Sequence, residues 1–240
     1  MRRFFALAVI AASTLVCARA AQAGSSLPST VPGMTIGNAH VVLNGAGHVL
    51  RGSAPTGKVA ELTRHGITTV IVFKNQTGHE VDAEIAELRA AGYRAAQITS
   101  IPFKWKDLPS FRVACGQIVD ALAVLDSAYR TRGAAAFFHC TAGEDRTGLL
   151  AGLFRLLEKG GDAKRIFASE LCNRGYEKGN PNKPAMVVNA IRAGLTPLYL
   201  KMSRLILGGR IKAGALSKAA CARDPGLGDL NPAAFVCGSR

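Results

Sequence analysis

Apolar and polar positions along the chain alternate between two periods. Residues 67–73, Ile-Thr-Thr-Val-Ile-Val-Phe, form a β-branched and almost wholly apolar run, which suits a central strand buried on both faces. Short apolar stretches at 40–43 and 48–51 flank Asn44-Gly45 and read as strands around a turn. Two more strands are expected over 93–99 and 134–138. Between the strands the spacing turns helical, over 56–65, 80–91 and 110–132, each stopped by a glycine (Gly66, Gly92, Gly133). Ser110 is the expected N-cap of the third helix. Further helices fit 147–159, closing at Gly160-Gly161, then 162–173 and 184–207. This alternation implies an α/β fold with a central, mostly parallel sheet flanked by helices on both faces. Such sheets bind ligands beyond the carboxyl ends of their strands, so the segment after 134–138 is where chemistry is expected.

The ends of the chain differ from its middle. Met1-Arg2-Arg3 is a basic start, 4–16 is apolar and uncharged, and Ala21-Gln22-Ala23 has small residues at the spacing a signal peptidase reads. Residues 1–23 are therefore expected to be a secretory signal peptide, since the apolar run falls short of the ~20 residues of a spanning helix. The mature chain is expected to be exported, periplasmic or secreted, with one domain over 24–208 and a tail over 209–240. That tail is basic, then Gly/Pro-containing, and is expected to wrap the surface. Arg192, Lys201 and Arg204 interrupt the apolar stretch 185–208, so it reads as a packed amphipathic helix or two, and no membrane span is expected after the signal.

The 240 residues carry a formal charge of +14, which falls to +11 if Arg2, Arg3 and Arg19 leave with the signal. That charge attracts anions of any kind. Without an aromatic-studded basic stripe or a nucleic-acid motif, nucleic acid is not the expected partner. Of the six cysteines, Cys17 lies in the signal, and an oxidising compartment permits disulfides among the rest. If Cys140 stays free, Cys115, Cys172, Cys221 and Cys237 remain. Cys221 with Cys237 is the expected bridge, closing the tail for ~3 kcal/mol, and Cys115 is expected to be simply buried.

The run His139-Cys140-Thr141-Ala142-Gly143-Glu144-Asp145-Arg146-Thr147-Gly148 joins a strand to a helix. Gly143 gives its backbone freedom to curl, so that successive N–H groups form an anion nest at the positive end of the following helix. Arg146, separated from Cys140 by five residues, can clasp two phosphate oxygens. The same field lowers the Cys140 pKa. Nucleophile and oxyanion cradle then come from one loop. Thr141, Ala142, Gly143, Glu144, Asp145 and Arg146 are the expected phosphate-binding residues. His40, His48, His65 and His79 have no metal-ligand spacing, and neither a metal nor a cofactor is expected.

His139-Cys140-x5-Arg146-Thr147-Gly148 resembles the signature loop of the cysteine-dependent tyrosine and dual-specificity phosphatases. The resemblance implies a dual-specificity-phosphatase-like fold, a phosphocysteine on Cys140, and Arg146 on the substrate phosphate. It further implies that the Thr147 hydroxyl bonds the sulfur and that His139 positions the loop. Ile101-Pro102-Phe103-Lys104-Trp105-Lys106-Asp107 is similar to the family's mobile acid loop, with Asp107 standing 33 positions before Cys140. Asp107 is thus the expected general acid. Asp145 is its rival, as in lipid-directed relatives with an Asp-Arg-Thr loop. Leu50-Arg51-Gly52-Ser53-Ala54 resembles the entry strand of atypical members, Arg51 being read as structural. Val72-Phe73-Lys74 departs from the family's Asp-Leu-Arg strand end. Lys104 and Lys106 are read as solvated and Trp105 as a loop anchor or a partly buried aromatic. The similarity runs over 48–159.

The expected activity is hydrolysis of phosphate monoesters on a protein, a lipid headgroup or a small molecule. Phosphotyrosine, phosphoinositide and inositol phosphate all remain open. Two alternatives are a phospholigand-binding module without turnover and a thiol-based arsenate reductase. The latter requires a resolving cysteine near the loop or a loop of another length.

Overall fold

In the computed structural model, which describes residues 27–238, five strands form one sheet in the order β1-β2-β5-β3-β4. They are β1 (His40–Asn44), β2 (His48–Gly52), β3 (Thr69–Phe73), β4 (Ile98–Ile101) and β5 (Ala135–His139). β1 and β2 pair antiparallel, and β2, β5, β3 and β4 run parallel. The signal peptide expected at 1–23 lies outside the described residues.

The strand period of two sorts side chains onto two faces. Val70 and Val72 join Leu50 and Phe137 in a core under α1 (Val59–Arg64) and α2 (Glu80–Ala90). Ile71 and Phe73 join Val49 and Phe138 in a larger core under α3 (Phe111–Arg130), α4 (Asp145–Lys159) and α7 (Leu195–Leu207). Each large apolar side chain buried this way contributes roughly 1.5–3 kcal/mol. The expected mostly parallel sheet with helices on both faces is the observed one. Its central strand β5 is buried along its whole length and delivers His139 to the carboxyl edge, beside Gly52 of β2 and Val72 of β3.

Several elements begin or end elsewhere than the pattern suggests. Residues 95–97 form a 3₁₀ turn, and β4 starts only at Ile98. The Gln97 side chain accepts from the Arg94 amide at 3.0 Å and donates to the Thr68 carbonyl at 3.0 Å, closing the turn before the strand can pair. Ser110 precedes α3 without capping it through its side chain. α4 begins at Asp145, so its first turn grows directly out of the Cys140 loop. The helix expected over 162–173 is short α5 (Ala163–Ile166), capped by Asp162, followed by π and 3₁₀ turns to Arg174. The one expected over 184–207 divides at Gly194 into α6 (Ala185–Ala193) and α7. Pro197 sits in the first turn of α7, where its missing N–H costs nothing.

The tail is fastened rather than draped. Cys115 on α3 pairs with Cys221, and Cys172 with Cys237, which overturns the expected Cys221–Cys237 bridge and the reading of Cys115 as merely buried. Tertiary packing decides the pairing. The tail buries Ile211, Ala220 and Phe235 against the main core, which carries Cys221 to α3 and Cys237 to Cys172. On the chain-entropy scale, closing loops of this length contributes about 4 kcal/mol each. Among the described residues no helix is long and apolar enough to cross a membrane.

Candidate active site

β5 runs straight into Cys140, and the loop to Asp145 turns back as α4 begins. Its carbonyls are engaged from outside the loop. Arg51 of β2 donates to Gly143 O at 2.8 Å and Asn38 Nδ2 to the same oxygen at 2.8 Å. The Ala54 amide donates to Thr141 O at 3.0 Å, and His139 Nδ1 lies 3.0 Å from Cys140 O. No peptide bond of the described residues is cis. In a trans peptide the N–H points opposite to the C=O, so the amides of Thr141, Ala142 and Glu144 point away from these partners. Gly143 makes the turn with φ +68°, and a Cβ there would fall inside the backbone of Gly52 and Ser53. Only glycine fits.

Cys140 is the free cysteine of the described residues and is 3 % exposed. Burial pushes its thiol pKa up, but the Arg146 guanidinium and the Thr147 hydroxyl outweigh this, and the net shift is downward. Thr147 Oγ1 also accepts the Cys140 amide at 2.8 Å. Arg146 is held by three hydrogen bonds. Its Nη1 donates to Asn75 Oδ1 and Phe103 O, both at 3.2 Å, and its Nη2 to Thr141 Oγ1 at 3.3 Å. A guanidinium has five N–H donors, so capacity remains for an anion.

The acidic pair in the loop shares one cation, Lys183. Glu144 is 2 % exposed and is held by Asn180 Nδ2 at 3.1 and 3.2 Å and by Lys183 Nζ at 3.1 Å. Asp145 is bound by the same Lys183 Nζ. Burial raises the Asp145 pKa, and Lys183 opposes that rise without cancelling it. Gly175, at φ +89°, lets the chain pass so close that a Cβ there would come within 2.8 Å of Glu144.

Asp107 is exposed, at φ +51°, on the segment joining β4 to α3. Lys104 and Lys106 are exposed beside it, while Trp105 is partly buried against the main core. Arg51 lines no cleft. It is fully buried, bonded to the carbonyls of Gly143 and Glu170, and burial pushes its pKa down to about 10 against the pull of Glu170 and Cys140. Lys74 is buried too, with Glu84 Oε2 at 3.0 Å. Among the described residues no group of three or more His, Cys, Asp or Glu side chains is placed to hold a metal ion.

Several members of the site escaped the sequence pattern: Asn38, Asn75, Glu84, Asn180 and Lys183. Asn75 alone carried a usable signal, since it follows a strand at its carboxyl end. The others lie 35 or more positions from the loop residue they hold, and nothing local marks them.

The family model of the tyrosine phosphatase family matches residues 49–168. No curated protein matches the chain. Among solved structures, TpbA of P. aeruginosa is similar at 22 % identity over 65 % of this chain and 86 % of that one, with a TM-score of 0.42. The catalytic core of the PP-IP phosphatase SIW14 of S. cerevisiae is similar at 19 % identity over 66 % and 85 %, with a TM-score of 0.46. A putative phosphatase of Shewanella putrefaciens is similar at 16 % identity over 74 % and 90 %, with a TM-score of 0.45.

Proposed function

The chain belongs to the tyrosine phosphatase family, and from that premise we propose that it is an exported phosphatase that hydrolyses phosphotyrosine through a phosphocysteine on Cys140. A cysteine-based phosphatase needs a thiolate under an anion cradle. The observation that carries the reading is a buried, unpaired Cys140 whose pKa is lowered by Arg146 and Thr147 at the mouth of α4.

In the first step the Cys140 sulfur forms a bond to phosphorus and the ester P–O bond breaks. The released electron pair goes to the leaving oxygen, which takes a proton from Asp107. Arg146 and the loop amides hold the equatorial oxygens as charge builds. In the second step water attacks phosphorus and passes its proton to the Asp107 carboxylate. The S–P bond then breaks, restoring a thiolate that the Thr147 hydroxyl stabilises. Asp107 suits the acid role better than Asp145 because it is exposed on the segment joining β4 to α3, whereas Asp145 is engaged by Lys183. His139 supports the loop.

Export is supported by the signal-like start and by two disulfides, which an oxidising compartment would preserve. Tyrosine as the phosphate carrier is the reading that the family match supports. Phosphate release by the mature protein should be compared across phosphotyrosine peptide, phosphoserine peptide, phosphoinositide and inositol polyphosphate. The expected order puts phosphotyrosine first. Cys140→Ser should abolish turnover, and Asp107→Asn should lower it by about a hundredfold or more. Turnover surviving Cys140→Ser would refute the nucleophile. Preference for an inositol phosphate would replace the substrate.

A further inference from the structure

Behind the cradle, on the opposite side of His139 from the loop, lies a chain of buried charges that no step of phosphoryl transfer uses. Lys74 follows β3, Glu80 and Glu84 lie on α2, and His139 ends β5. Lys74 is 2 % exposed, Glu84 3 % and His139 fully buried. Glu84 bridges the other two, with Oε1 2.7 Å from His139 Nε2 and Oε2 3.0 Å from Lys74 Nζ. Glu80 lies 3.7 Å from the same ammonium.

The position of each proton follows from the partners. His139 Nδ1 lies 3.0 Å from the Cys140 carbonyl, which can only accept, so Nδ1 carries hydrogen. Glu84 is ionised: burial pushes its pKa up, but the Lys74 ammonium, 3.0 Å from Oε2, is among the groups that draw it down. A bare Nε2 lone pair at 2.7 Å from that carboxylate would be repelled, so Nε2 carries hydrogen as well. A ring with both nitrogens protonated is a cation, directly preceding the nucleophile. An unpaired buried ion would cost several kcal/mol, and the alternation of Lys74, Glu84 and His139 removes that cost.

We infer that Glu84 is a positioning residue for catalysis. It holds His139 doubly protonated, so that Nδ1–H pins the Cys140 carbonyl and the ring charge favours the thiolate, with Lys74 anchoring the chain from behind. The inference rests on Cys140 as nucleophile for its effect on rate, but the state of the ring can be tested without it. The other charged and polar groups acting on the sulfur are Arg146 and Thr147 from α4, Arg51 from β2 and, opposing them, Asp145. The other face of the ring meets Phe137, at 5.8 Å between centroids. Glu84 is thus the charged partner that fixes the ring.

The test uses the mature protein. Nitrogen-15 NMR of the His139 ring at about pH 8, above ordinary histidine titration, should show both nitrogens protonated in the wild type and one in Glu84→Gln. The pH midpoint for alkylation of Cys140 by iodoacetate should rise by about one unit in Glu84→Gln, and the acidic limb of kcat/KM should move with it. Glu84→Asp should restore part of the shift. A neutral ring in the wild type would overturn the inference, and that spectrum decides even if Glu84→Gln fails to fold. An unmoved alkylation midpoint in a folded Glu84→Gln would overturn it equally. Failure of every phosphate ester as a substrate would defeat the phosphatase reading while leaving the ring and alkylation results standing.

Discussion

Arg51 Nη2 donates to the carbonyl of Gly143 at 2.8 Å, from a side chain with no exposed surface. Its Nη1 reaches the Glu170 carbonyl at 2.6 Å. One guanidinium thus ties the turn of the nucleophile loop to the segment after α5, and it does so from the second strand of the sheet. Holding a loop carbonyl outward is also what keeps the amide of the same peptide facing inward.

Removing that tie should damage both stability and rate. Arg51→Met takes the guanidinium donor from the Glu170 carbonyl and leaves the Gly143 carbonyl to Asn38 alone, at roughly 1–3 kcal/mol in all. A lower Tm and a fall in kcat/KM of about a hundredfold are expected. Arg51→Lys should recover little, because an ammonium cannot span two carbonyls as a planar fork does. Wild-type kcat/KM in a folded Arg51→Met would show that the loop holds its shape unaided.

Lys183 serves two carboxylates at once, one buried and one partly buried, so its loss should be felt as a function of pH. Asp145 has a raised folded pKa. Its contribution to stability is therefore present below the unfolded value and is lost as pH rises through the folded one. Lys183→Met removes the cation that opposes the rise and moves the folded pKa further up. The deficit in stability relative to wild type, followed by denaturant titration, should be small near pH ~4 and largest near neutrality, reaching about 3 kcal/mol. A deficit independent of pH would mean that Lys183 acts by packing alone.

Glu84 has the opposite sign. Its folded pKa, about 2, lies below the ordinary 4.5. The stability it contributes is present above the unfolded value and is lost as pH falls through the folded one. Acid unfolding of the wild type should therefore draw on Glu84 between about pH 4.5 and 2. The stability gap between wild type and Glu84→Gln should narrow over that interval, as followed by denaturant titration at successive pH values. A constant gap would show that the carboxylate is not held ionised.

Non-reducing peptide mapping of the mature protein should recover Cys115 with Cys221 and Cys172 with Cys237, leaving one alkylatable thiol at Cys140. Reduction, or Cys221→Ser, should lower Tm by several degrees by releasing a tail that buries Phe235 and Ile211. Recovery of a Cys221–Cys237 peptide would reverse the assignment.

Much of this was readable before folding. The β-branched run at 67–73 became β3 because a strand buried on both faces has no polar positions to hide. The loop from His139 to Gly148 was legible because its nucleophile, glycine turn and arginine are neighbours in the chain. The boundary at 93–99 misled because Gln97 closes a turn with side-chain bonds that apolar spacing does not encode. The disulfides misled because proximity in sequence suggested Cys221 with Cys237, whereas the buried surfaces of the tail chose the partners.

Local chemistry, then, is what the chain alone determined: element types, the nucleophile and its cradle, and the class of anion they suit. The environment of those groups was decided only in three dimensions. Arg51, Asn75, Glu84 and Lys183 come from four separate stretches, and a charge takes its strength from its burial and its neighbours. Those are properties of the packed molecule, because the distances that set them are closed by the sheet and its helices rather than by the covalent chain.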